Sequence, residues 1–446
     1  MVIRNAKDKG KVIDFKFDPR MLTTDANDAI RGDIKRAAIE LITNADDSYK
    51  RLENKNSKVS GKIEIEYERK LDSAILKFRD FAEGMSEEEL EIKVRTYAAA
   101  TSEFNNSQKG RSVRGIWGRG LIQSLLGLGS GTVHTIKDGK YNRIDTIREK
   151  RENKLFKHDQ SSANKQARAK IGIKKKNGTL VVAECSKIRT IPQFEQLREQ
   201  LQTHFEIRRI IADPNRSIIF RQVRGKKIIN ERKLEFNYPK SKNVLDLDIP
   251  VKNFPEAKIN LQLHECNEEL TTVSEEKELA LSGVVFYTQG LAVDNTAFDW
   301  SADEAFSYFY GTCDCPYIRE LALKDEVVFS TNRTGPNWNH DFMKSLKETV
   351  IEKIKPFVDA KRREIQNSRK GELDKKHKVK IEESVNKINE LFKELLGEND
   401  LGPVYGHQWR HFNAPYYNSN FNYKGMGVDQ LNIIVNKLKD EEDRTS

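Results

Sequence analysis

The amino-acid sequence predicts an α/β (α+β) protein, with two mixed helix-and-strand domains followed by a helical C-terminal extension. Three observations carry that expectation. Residues 33–49 place Ile34, Ala37, Ala38, Leu41, Ile42 and Ala45 three and four apart, the spacing of an amphipathic helix. Residues 62–79 alternate apolar and polar side chains on either side of a short Leu71-Asp72-Ser73 turn, as a β-hairpin does. A glycine-dense stretch, residues 115–131, surrounds the apolar run Leu121-Ile122-Gln123-Ser124-Leu125-Leu126, the pattern of a glycine loop opening into a buried helix.

Composition narrows the function classes. At ~100–200 residues per domain, 446 residues predict two or three domains. No apolar run approaches the ~18 residues of a membrane span. Residues 1–10, MVIRNAKDKG, lack the apolar core of a secretory signal, so a soluble, cytoplasmic protein with no membrane partner is expected. A net charge of +10 permits an anionic partner without requiring one. Cys185, Cys266, Cys313 and Cys315 are too scattered for a disulfide framework and read as reduced thiols.

Further strands are expected at residues 132–136 and 179–183. Between them, residues 141–176 carry 12 Lys/Arg against 4 Asp/Glu, a surplus suited either to phosphate contact or to a solvated insertion. The first domain is assigned to residues 1–190. A second α+β domain, residues 191–360, has strand patterns at 217–222, 258–264 and 283–287, then a Gln289-Gly290 turn and residues 291–294. Phe342, Leu346, Val350, Ile351, Ile354 and Val358 repeat at helical spacing. Residues 361–446 form the third segment: a charged helical stretch to 396, then an aromatic and amide-rich tail with Tyr416, Tyr417, Phe421 and Tyr423.

On the first helix Glu40, Asn44 and Asp47 fall four and three apart, on one polar face. The second hairpin strand ends in Asp80-Phe81-Ala82-Glu83-Gly84-Met85, which delivers a carboxylate at a strand end beside a glycine turn, where it can accept from a ligand amine. Gly115-Ile116-Trp117-Gly118-Arg119-Gly120 is a GxxGxG loop ahead of the apolar helix, suited to bringing backbone N–H groups to an anion. Gly178-Thr179 opens a strand.

In this order the four motifs resemble those of the GHKL (Bergerat-fold) ATPase superfamily, over roughly the first 190 residues. The resemblance implies a two-layer Bergerat ATP-binding sandwich, with ATP and Mg²⁺ as cofactors and ATP hydrolysis as the activity. It implies Glu40 as the base for the attacking water and Asn44 as the Mg²⁺ ligand. Asp80 would accept from the base, supported by Thr179, and Asp47 would brace the pocket. Gly84, Met85, Gly115, Gly118, Arg119 and Gly120 would complete nucleotide binding. Lys109, Arg111, Arg114 and Arg119 are candidates for charge neutralisation or else solvated lid residues. Ala82 departs from the family's usual glycine.

Residues 327–337, VVFSTNRTGPN, resemble the strand-loop-helix of the heat-shock chaperone middle domain, which marks Arg333 as a catalytic candidate. Residues 283–295 resemble the transducer domain of MutL-like and MORC-like ATPases. Together these resemblances imply an ATP-gated homodimeric clamp. Its output would be DNA, through residues 141–176, or a bacterial defence system. The alternative is a chaperone-like or partner-regulating ATPase that docks a protein through its tail.

Overall fold

Helical and alternating patterns sort into two mixed sheets with helices packed on them. The structure is a computed structural model that describes residues 19–55, 59–95, 120–149, 152–174, 177–324, 326–330 and 335–396. The first part contains, in chain order, α1 (Pro19–Ile30), α2 (Ile34–Lys55), β1 (Gly61–Arg69), β2 (Ala74–Asp80), α3 (Glu87–Arg95) and α4 (Gly120–Leu128). It continues with β3 (Gly129–Lys137), β4 (Lys140–Glu149), β5 (Glu152–Lys157), β6 (Ser161–Ser162), α5 (Lys165–Ile171) and β7 (Gly178–Cys185). It closes with α6 (Phe194–Thr203), α7 (Arg208–Ala212), β8 (Arg216–Arg224) and β9 (Lys227–Lys233).

The sheet order is β5-β4-β3-β7-β2-β1-β8-β9, with β6 on β4. The predicted hairpin is β1–β2, antiparallel, with Ile65 opposite Phe78 and Tyr67 opposite Leu76. Its inward residues meet the apolar face of α2, where Ala37, Ala38, Leu41, Ile42 and Ala45 are buried. α4 buries every residue from Leu121 to Leu128, as its almost wholly apolar sequence requires. Full burial of one such Leu or Ile side chain contributes roughly 1.5–3 kcal/mol, so this shared cluster holds the helices to the sheet.

One strand lies elsewhere than expected. β8, anticipated as part of a second domain, pairs parallel with β1 and carries β9 beside it, so the first sheet extends beyond residue 190 to Lys233. Two features hold it there: Ile218 and Phe220 are buried in the same apolar cluster as α2, and a buried ion pair crosses to that helix. Arg216, at the start of β8, lies 2.6 Å from Asp46 of α2, and both side chains are almost wholly buried.

The second sheet has the order β10-β11-β14-β12-β13. Its elements are β10 (Ser241–Val251), β11 (Phe254–Cys266), the short α8 (Val273–Glu276), β12 (Gly283–Thr288), β13 (Leu291–Thr296) and β14 (Phe309–Asp314). Then come α9 (Tyr317–Leu323) and α10 (Asp341–Leu396). The Gln289-Gly290 turn joins β12 to β13, and both residues have positive φ, 47° and 85°, as a two-residue hairpin requires. β12 is buried along its whole length and runs parallel to β14. α10 buries Phe342, Met343, Leu346, Val350, Ile354 and Val358, the predicted stripe with Met343 added and Ile351 only partly buried. The chain divides into two compact units between Val358 and Asp359. Among the described residues, no helix is long and apolar enough to cross a membrane. All four cysteines are free and buried.

Candidate functional site

The polar face of α2 and the ends of β2, β3 and β7 supply the site. Asn44 donates from Nδ2 to the carbonyl of Glu40 at 2.8 Å, one turn back, which fixes the amide beside that residue. The start of α4 closes on the same place. A Cβ on Gly120 would lie 2.1 Å from Glu40 Oε2, so any larger residue here would make the Glu40 carboxylate move aside. Further along the face, Asp47 is buried. Lys93 of α3 sits within electrostatic reach of Asp47 and Glu40; burial and the Arg51 guanidinium lower its pKa while the two carboxylates raise it. Arg51 itself pairs with Glu83.

A second cluster is built by strand register. Asp80 lies opposite Thr179, and Thr179 opposite Thr135. The two threonine hydroxyls are 3.3 Å apart, and Thr135 Oγ1 accepts from the Met85 amide at 2.8 Å. Gly84 turns the chain with φ of 64°, and a Cβ there would meet the Ile136 carbonyl oxygen at 2.0 Å. Tyr49 ties this loop to α2: its hydroxyl accepts from the Phe81 amide at 2.9 Å and donates to the Lys62 carbonyl at 2.6 Å.

Burial pushes the Asp80 carboxyl up to about 7, opposed by backbone N–H groups of Ala82 and Thr179 and by the Arg51 charge. An acid whose pKa is raised in the fold binds a proton that the unfolded chain has released. Its contribution to stability therefore falls as pH rises from the ordinary 3.8 to about 7. At roughly 1.4 kcal/mol per unit, the full window is worth up to about 4 kcal/mol. Asp80→Asn is expected to remove this slope, so that the variant gains on the native protein across the window in urea melts and the difference is flat above it. Parallel pH profiles would show that Asp80 does not titrate there.

The structure thus brings together Glu40, Asn44, Asp47 and Gly120, and separately Asp80, Gly84, Met85 and Thr179. Gly115, Gly118, Arg119 and Arg333 lie outside the described residues, as do Lys109, Arg111 and Arg114. Tyr49, Lys93 and Thr135 escaped the sequence reading. Thr135 becomes visible only through the β3–β7 register, and Lys93 belongs to a helix with no motif of its own. In the basic stretch, Arg143 pairs with Asp145, Lys157 with Glu87 and Glu91, and Arg168 donates to the Ala163 carbonyl. These three cations are engaged within the fold.

A thymidylate synthase family model matches residues 331–445, about a quarter of the chain. The chain is similar to the thymidylate synthase of Ascaris suum, 55% identical over 42 residues, which is 9% of this chain and 14% of that protein. The bifunctional dihydrofolate reductase-thymidylate synthase of Plasmodium berghei (strain Anka) is 58% identical over 43 residues, 10% of this chain and 7% of that one. The thymidylate synthase of Equine herpesvirus 2 (strain 86/87) is 58% identical over 40 residues, 9% and 14% of the two chains. The chain therefore spans a small part of these relatives' lengths.

The family matched corrects the reading taken from the four motifs. The resemblance to GHKL ATPases is overturned. With it go ATP hydrolysis, the ATP-gated clamp and its DNA or defence output, the chaperone-like alternative, and ATP and Mg²⁺ as cofactors. The motif residues have local duties that account for their spacing. Asp80 Oδ1 accepts from its own turn at Ala82 N, 3.0 Å away. Asn44 bonds one turn back along its helix, and Gly84 and Gly120 answer backbone and packing demands. The matched residues also contain a run that drew no attention as chemistry, Gly402-Pro403-Val404-Tyr405-Gly406-His407-Gln408-Trp409-Arg410-His411. Its dense mixture of aromatic, amide, imidazole and guanidinium groups was the available signal.

Proposed function

We propose that the protein acts in thymidylate formation, with residues 331–445 serving as a thymidylate synthase-type segment that uses methylene-tetrahydrofolate and works as a homodimer. The observation that supports this is the family match over those residues, joined by relatives at 54–58% identity across 40–48 residues. Thymidylate differs from deoxyuridylate by one methyl group, so the substrate is a nucleoside monophosphate and the reaction a one-carbon transfer from the folate. Arg410 is a natural phosphate partner, because a guanidinium fork matches phosphate oxygens bidentately. Arg333 belongs to the same matched segment.

The polar residues on α2 and at the strand ends are proposed as a separate ligand site. Glu40, Asn44, Asp47 and Gly120 would supply one part of it, and Asp80, Gly84, Met85 and Thr179 the other. Asp80 suits a ligand carrying an N–H or amino donor, since a buried carboxyl offers acceptors that few other groups supply.

Titration calorimetry of the full chain with deoxyuridylate tests the main reading. Binding in the micromolar range, weakened at least about tenfold by Arg410→Ala, is expected. An absence of heat at millimolar deoxyuridylate would refute it.

A further inference from the structure

α2 carries a candidate site near its middle and an ionic cluster at its start. Lys35, in the first turn, is buried and lies 2.9 Å from Glu278 Oε2 and 3.1 Å from Glu276 Oε1. Arg36 reaches the other oxygen of Glu278 at 2.5 Å, and His204, buried at the end of α6, stands 3.7 Å from it. The backbone here is held as well: the Phe205 amide donates to the Glu278 carbonyl at 3.1 Å, and buried Arg208 donates to the Ala280 carbonyl at 2.6 Å. Three cationic or imidazole groups thus converge on one carboxylate. That carboxylate sits five residues before β12, the fully buried strand of the second sheet.

A partly buried carboxylate clasped on both oxygens, by a Lys35 that is itself buried, has few alternative arrangements, because a departure leaves the buried ammonium without its partner. Lys35 and Glu40 are joined by a single stretch of helix, with no break that absorbs displacement. We propose that Glu278, held by Lys35, Arg36 and His204, is a coupling clasp through which movement of α2 at the Glu40–Gly120 contact is passed to β12 in the second sheet. The two sheets would then respond together to occupancy of the α2 site, whatever its ligand. The clasp does not depend on the thymidylate reading.

Because a Cβ on Gly120 would lie 2.1 Å from Glu40 Oε2 and 2.9 Å from its Cδ, Gly120→Ala displaces the Glu40 carboxylate, one end of the coupling, without any ligand. Hydrogen exchange of the full chain, followed by mass spectrometry, reads the other end across residues 276–288. Gly120→Ala is expected to speed exchange there about fivefold, the lower range of coupling between sites. In a Glu278→Gln background the same substitution should add nothing to that segment. Glu40→Ala serves as the perturbation if Gly120→Ala does not fold, and Lys35→Met replaces Glu278→Gln if that variant fails. An unchanged rate at residues 276–288, or an equal increase with and without the clasp, would overturn the proposal.

Discussion

Removing residues 397–446 is expected to abolish thymidylate formation, a loss on the order of a thousandfold or more, while thermal unfolding of the remaining chain shifts by less than about 2 °C. The two effects separate because they rest on different residues. Orienting a nucleotide against a one-carbon donor needs several convergent groups, and losing all of them forfeits the positioning contribution to the rate. On the proposed function, Tyr405, His407, Gln408, Trp409, Arg410 and His411 would supply such groups, and all lie in the removed part. The apolar stripe that seats α10 ends at Val358, ahead of the removed residues, so the described cores lose none of their own members. Chromatography of the product and calorimetric melting of both proteins check this. Turnover retained after truncation would place the chemistry elsewhere in the chain.

Asp46→Ala is expected to cost about 3–5 kcal/mol, because it leaves the Arg216 guanidinium buried with its one buried counter-charge gone. Arg216 Nε is 2.6 Å from Asp46 and its Nη1 is 2.5 Å from Glu53, with no exposure of the arginine side chain. Glu53, more exposed, remains as a partial partner. Lys50, 3.2 Å from Asp46, also loses its ion pair. Replacing both members, as Asp46→Leu with Arg216→Met, should recover most of the loss, since neither charge then requires a partner in the interior. Urea unfolding of the native protein and the two variants tests this. A single-variant cost below about 1 kcal/mol would show that the pair does not secure β8 to α2.

That pair also shows why part of the fold was legible and part was not. α2 and the β1–β2 hairpin follow from local periodicity, and both occur where residues 33–49 and 62–79 predicted them. The Gln289-Gly290 turn was likewise readable, since two positive φ angles select such residues. Membership of a sheet is different. β8 joins β1 through a register and a salt bridge spanning 170 residues, and nothing in residues 217–222 distinguishes that outcome from a strand of the second sheet. Within the site, the grouping of Glu40, Asn44 and Asp47 was visible from helical spacing. Thr135 and Tyr49 required the tertiary structure, because a hydroxyl's partner cannot be read from its own neighbours. The motif order misled for a related reason. Glycines and a strand-end carboxylate are demanded by turns and close packing as readily as by a nucleotide, and Gly84 shows such a demand directly. The tail is the opposite case: its aromatic and amide character is plain in the sequence, but only the family match over residues 331–445 gives it a functional context.

Transfer of a labelled carbon decides the functional reading. The full chain incubated with deoxyuridylate and methylene-tetrahydrofolate carrying carbon-13 in its methylene group is expected to yield thymidylate labelled at the new methyl, with many turnovers per chain. Deoxyuridylate recovered unlabelled and unmethylated under those conditions would contradict it.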